Sequence, residues 1–203
     1  MNTISGVFFI LILAFWPHQI LAQEDQDLGL IIPNQKSSLG EELIAQVCDH
    51  AIYKDLCISS LQSVPESKDA DLFELTTIAL KLAATNATEI KKYVQKLLNK
   101  SHSDRYTHQC LADCSENYED ALDRIEDSLK ALESKGYNDV NTWVTAAMAD
   151  AESCEEGFLD RPGHKSPLTG RSTIFNQLCS IALTITNFLS GSVWSFGFLS
   201  TIL

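Results

Sequence analysis

The side chains of this 203-residue chain that could do chemistry are six cysteines, five histidines and a dense set of carboxylates. The histidines, His18, His50, His102, His108 and His164, are not placed by pattern beside a nucleophile. There is no G-x-S-x-G elbow, no H-E-x-x-H helix, no P-loop and no Gly-rich dinucleotide turn. The chain is therefore expected not to be an enzyme, with no catalytic residue and no cofactor. The cysteines are Cys48, Cys57, Cys110, Cys114, Cys154 and Cys179. No C-x-x-C pair occurs, and His108 with Cys110 and Cys114 makes a poor ligand cluster, so no metal site is expected. Disulfides are the better reading, but six cysteines admit many pairings and spacing does not choose among them.

The carboxylates are more informative. The net charge is −12, which argues against nucleic acid and anionic membrane surfaces and is compatible with a neutral or basic protein partner. Glu116, Asp120, Asp123 and Asp127 recur at helical spacing and fall along one helix face. Like charges so placed weaken a helix by a few tenths of a kcal/mol each. They make either a solvated surface or a docking face for a partner of complementary charge.

These residues must be positioned by elements, and almost every element reads as helix. Residues 6–16, GVFFILILAFW, form an apolar run of signal-peptide length, too short to span a bilayer, with Ala22 ahead of the polar Gln23-Glu24-Asp25. Residues 1–22 are expected to be a signal peptide and 23–40 a mature N-terminal arm. The secretory route makes disulfides the default state of the cysteines. Two sequons, at Asn86 and Asn99, fit that route; Asn99 falls at a helix end, whereas Asn86 falls near a core seam.

In 41–63, Leu43, Val47, Ala51 and Leu56 give two short helical stretches bracketed by Cys48 and Cys57. Four longer amphipathic patterns follow, over 69–100, 106–134, 138–158 and 173–190, the last carried by Ile174, Leu178, Ile181, Ile185 and Phe188. Gly136 marks one helix end and Arg161-Pro162-Gly163 another. The expected fold is all-α: an antiparallel up-down-up-down four-helix bundle preceded by a helical hairpin, together spanning 41–190. Residues 191–203 form an apolar tail outside the pattern, too short to span a membrane.

At this point the residues become specific. Cys114-Ser115-Glu116-Asn117-Tyr118 with the EDALD that follows, Thr142-Trp143-Val144-Thr145-Ala146-Ala147, and Cys154-Glu155-Glu156-Gly157-Phe158 resemble signatures of the plant invertase/pectin methylesterase inhibitor family. Cys48-x8-Cys57 and the stretch Leu178-Cys179-Ser180-Ile181-Ala182-Leu183 extend the resemblance over roughly 41–192. It is nearest to the branch that inhibits pectin methylesterase. The loop Lys135-Gly136-Tyr137-Asn138-Asp139 lacks the Pro-Lys-Phe of the invertase branch.

The resemblance implies disulfides Cys48–Cys57 and Cys114–Cys154. It matches Cys179 to a free thiol, gives Cys110 no counterpart, and leaves open whether Cys110 and Cys179 pair. It implies a secreted inhibitor of pectin methylesterase that covers the substrate cleft with a helical face and supplies no chemistry. Glu116, Asp120, Asp123, Thr145 and Ser153 would meet the cleft rim. An inhibitor of acid invertase is the alternative, and a non-inhibitory helical carrier or structural bundle a further one. The implied setting is extracellular, in the apoplast or cell wall, with the vacuole as second compartment. The protein is expected to be a monomer when free.

Overall fold

The computed structural model of the chain describes residues 38–100 and 104–191. The expected signal peptide 1–22, nearly all of the arm 23–40, Ser101 of the Asn99 sequon and the tail beyond 191 lie outside the described residues.

The first helix begins inside what the sequence suggests is the arm. The Ser38 backbone N–H donates to the Glu41 carboxylate at 3.3 Å, one half of a capping box, and α1 runs Leu39–Asp49. A tight turn leads to α2, Lys54–Gln62, and Cys48 is joined to Cys57 with Cα atoms 5.6 Å apart. A 3-10 turn, Pro65–Asp69, then lies so close to α1 that a Cβ on Gly40 would sit 2.0 Å from the Ser67 carbonyl oxygen. Gly40 is therefore a packing residue and not a loop residue.

The long helices follow: α3 Leu72–Asn99, α4 Arg105–Glu133, α5 Tyr137–Leu159 and α6 Thr169–Leu189. Asp71 and Glu74 form a reciprocal capping box, 2.9 Å in each direction, and Asp104 accepts the N–H groups of Tyr106 and Thr107. The α4–α5 corner closes as a Schellman turn: Gly136 N–H reaches Ala131 O and Lys135 N–H reaches Leu132 O, both at 2.9 Å. The left-handed residue there is Lys135, at φ 59°, and not the glycine beside it, which the sequence marks as the stop.

Each long helix packs on the next and α6 returns to α3, which gives the up-down-up-down bundle. The seams are filled by Leu75, Ala79, Leu80, Ile90, Leu111, Ile125, Leu132, Phe158 and Ile185, with Tyr118 and Phe175 ring to ring at 5.7 Å. The α6 seam starts at Phe175, not at Ile174, which is 38% exposed. Phe175, Leu178, Ala182 and Ile185 are buried at three- and four-residue spacing; Ile174, four residues before Leu178, shares that spacing but is left partly uncovered in the first turns of α6. The hairpin rests on the end of the bundle where α6 finishes, with His50 edge-on to Phe188 at 5.0 Å. Among the described residues, no helix is long and apolar enough to cross a membrane.

Candidate docking face

Two structural groups hold α4 and α5 in place and leave their outer sides free. The first is the Cys114–Cys154 disulfide, which joins an early turn of α4 to a late turn of α5 with Cα atoms 4.6 Å apart. Linking positions 40 residues apart restricts the unfolded chain by about 4 kcal/mol in the chain-entropy account. One turn earlier, the Cys110 thiol and the Tyr106 hydroxyl both donate to the Gly157 carbonyl, at 3.3 and 2.6 Å. Cys110 and Cys179 are both buried free thiols. Burial pushes the Cys179 thiol up, so it stays protonated and inert.

The second is a carboxylate clasp that sequence reasoning did not find. Glu155 accepts from Ser166 and Ser172 at 2.8 Å and from Thr169 at 2.7 Å, and Tyr118 donates to Ser172 at 2.9 Å. The clasp ties α4, α5, the α5–α6 loop and the first turn of α6 together. Burial raises the Tyr118 phenol to about 12. The sequence signal was present in Cys154-Glu155-Glu156-Gly157-Phe158, but the hydroxyl partners lie on a different element and no spacing rule points to them.

On the outer side of α4, three acids are engaged by lysines. Glu119 pairs with Lys91 of α3 at 2.8 Å, and Glu126 and Asp127 share Lys130 at 3.1 and 3.2 Å. Glu116, Asp120 and Asp123 remain exposed and enter no ion pair among the described residues. Asp127, the fourth member of the stripe, is thus neutralised while the other three are not.

Beside them, Arg124 lies over the Trp143 ring at 5.5 Å and faces Asp150 of α5 at 3.9 Å. The Arg124 Nε and Asp150 Oδ2 atoms are buried and no hydrogen bond joins them. Burial raises the Asp150 carboxyl above its ordinary value; Arg124 opposes this and the Asp120 charge adds to it.

Thr145 and Ser153 are exposed on α5, and their hydroxyls donate back to Asn141 O and Ala149 O of their own helix. They differ by about 80° around α5, so the five residues form a broad face rather than one line. Asn99 is exposed at the end of α3, whereas Asn86 is half-buried with a buried, unpartnered Oδ1. Among the described residues no group of three or more His, Cys, Asp or Glu could hold a metal ion.

The outer face of α4 and α5 thus carries three exposed carboxylates that enter no ion pair among the described residues. Residues 42–185 match the family model of the plant invertase/pectin methylesterase inhibitor. The chain is 34% identical over 135 residues to a protein of Platanus orientalis assigned as an invertase inhibitor, covering 66% of this chain and 79% of that one. It is 31% identical over 161 residues to a pectinesterase inhibitor of Actinidia deliciosa, covering 78% and 86%. The crystal structure of a mutant form of a pectin methylesterase inhibitor from Arabidopsis superposes with a TM-score of 0.61 at 24% identity, over 71% of this chain and 95% of that one, and so shares the fold. The chain belongs to the plant invertase/pectin methylesterase inhibitor family, a family of inhibitors and not of enzymes.

Proposed function

We propose that this protein inhibits a pectin methylesterase by laying the outer face of α4 and α5 across the substrate cleft. The observation that carries the reading is the set Glu116, Asp120 and Asp123: exposed, unpaired, and held on a helix that a disulfide and the Glu155 clasp keep in register. Carboxylates left without a cation on a stiff surface favour encounter with a basic cleft rim. One helical face of this length offers an interface of about 1,600 Å² in total, the size usual for protein inhibitors. Thr145 and Ser153 widen the face on α5. A similar pectinesterase inhibitor from Actinidia deliciosa and the absence of Pro-Lys-Phe at 135–139 support the pectin branch.

Inhibition of an acid invertase is the second reading, favoured by the similar Platanus orientalis protein. A lipid or cofactor carrier is the least supported, because side chains fill the seams where a carrier would keep an apolar cavity. In the proposed setting residues 1–22 direct secretion and are removed. The protein then acts as a monomer in the apoplast or cell wall, with Asn99 as the accessible glycan acceptor.

The test is titration of the purified protein against several plant pectin methylesterases and acid invertases. The expected result is slowed esterase turnover with no change to carbohydrate when the protein is present alone. Strong inhibition of invertase with none of the esterases affected transfers the assignment to the other branch.

A further inference from the structure

Arg124 follows Asp120 by one turn of α4, with the acid on the N-terminal side. An isolated helix favours an ion pair at that spacing and in that order. The bundle does not make it. Asp120 enters no ion pair among the described residues, and Arg124 crosses instead to α5. There its guanidinium lies 5.5 Å from the centre of the Trp143 ring, within cation–π range, and its Nε is 3.9 Å from Asp150 Oδ2. No hydrogen bond joins those two buried atoms, so stacking and charge hold the guanidinium rather than a directed bond. Asp120 and Asp150 are rivals for this one cation. Burial does most to raise the Asp150 carboxyl, Arg124 opposes it, and the Asp120 charge adds to it, which places all three charges within reach of one another. Lys130, the cation on the next turns of α4, is already occupied by Glu126 and Asp127.

We propose that Trp143 and Asp150 are positioning residues for the docking face: they draw Arg124 across to α5 and so keep Asp120 free for a cationic group of the protein partner. The inference rests on the proposed role of α4 as the docking face and adds what keeps that face acidic. Trp143 supplies a flat surface on which a delocalised, weakly hydrated guanidinium stacks. Asp150 supplies the opposing charge, and its place in the partly buried α4–α5 seam leaves that charge less screened than the open Asp120. An aliphatic residue at 143 removes the stacking surface, and the guanidinium falls back on the acid one turn earlier on its own helix. The stripe then loses one of its three free carboxylates with no change in net charge.

The test has two parts. The first needs no target enzyme and follows side-chain carboxyl carbon resonances in ¹³C-labelled protein. With Trp143 in place, Arg124→Gln is expected to move the Asp150 resonance and leave that of Asp120 nearly still. In a Trp143→Leu background the same change is expected to move Asp120. Asp120 moving as far as Asp150 in the first comparison, or staying still in the second, overturns the hold on Arg124. The first comparison uses natural Trp143, so it decides the matter even where Trp143→Leu does not fold. The second part is stopped-flow association with whichever enzyme the protein inhibits. Trp143→Leu is expected to associate about threefold more slowly at low salt. Trp143→Phe keeps an aromatic face and is expected to restore the rate. Adding Trp143→Leu to Arg124→Gln is expected to cost no further rate. Equal slowing with and without Arg124 means that Trp143 touches the target itself and overturns its positioning role. A protein that inhibits no enzyme fails the functional reading alone, and the carboxyl resonances then decide the hold on Arg124.

Discussion

Within the motif Cys114-Ser115-Glu116-Asn117-Tyr118, neighbouring residues do opposite work. Cys114 and Tyr118 are fully buried, one in the α4–α5 disulfide and the other in the clasp, while Glu116 between them faces solvent. The same division runs through Cys154-Glu155-Glu156-Gly157-Phe158, where only Glu156 is exposed. A substitution at Tyr118 should therefore act on stability alone. Tyr118→Phe keeps the ring against Phe175 and removes the donor to Ser172, so a loss of about 1 kcal/mol, or a midpoint lower by about 2–4 °C, is expected in thermal unfolding. Its pH signature is also specific. The folded phenol is raised to about 12, mainly by burial, against about 10 when unfolded. A group raised in the folded state contributes stability that is complete below the unfolded value and is lost as pH rises through the folded one. The wild-type protein should lose stability between about pH 10 and 12, and Tyr118→Phe should lose less over that window, as followed by circular dichroism.

Two helix ends carry the next scale of argument, because there the local rule and the structure part company. Gly40 lets α1 touch the 65–69 turn, and the atom in the way of any side chain is a backbone carbonyl that cannot rotate aside. Gly40→Ala should therefore lower stability by about 3 kcal/mol, the upper end of ordinary overpacking, despite alanine being the better helix former. Lys135 is the converse case. A left-handed non-glycine residue carries about 1–2 kcal/mol of strain, partly offset by the freer unfolded chain that glycine brings. Lys135→Gly is expected to raise stability by about 0.5–1 kcal/mol in urea unfolding, and Lys135→Ala is not. These ends also mark how far the sequence was legible. The long helices follow from apolar periodicity because each buries one face. The hairpin boundary was missed by two residues, although Ser38 and Glu41 spell half a capping box. The start of α6 was missed because Thr169 and Ser172 serve Glu155 and break the apolar period. The disulfides were read from family resemblance and not from spacing. The clasp and the Arg124–Trp143 contact depend on which elements meet, which periodicity within one helix does not encode.

Across the whole molecule, the parts that hold the bundle together and the parts offered to a partner are separate sets. The disulfides, the clasp and the apolar seams face inward, and the uncompensated acids face outward on a chain of net charge −12. Replacing Asp120 and Asp123 by Asn preserves shape and moves the net charge from −12 to −10, two charges fewer. Exposed charges of this kind act mainly on the rate of encounter and its salt dependence. Each alone is often worth under about 1 kcal/mol, so the pair is the informative change. If the α4 face docks onto its target, the double variant should associate several-fold more slowly at low salt, with a flatter response to added salt and a dissociation rate changed less. Folding should respond in the other direction. The two substitutions relieve repulsion along α4, and loss of the Asp120 charge removes one of the influences holding the Asp150 carboxyl up. The thermal midpoint should accordingly stay level or rise slightly. Stopped-flow association with the target, run beside thermal unfolding, separates the possibilities. Unchanged association at low salt would reduce the stripe to a solvated surface, and a fall in the midpoint would show that these acids support the fold after all.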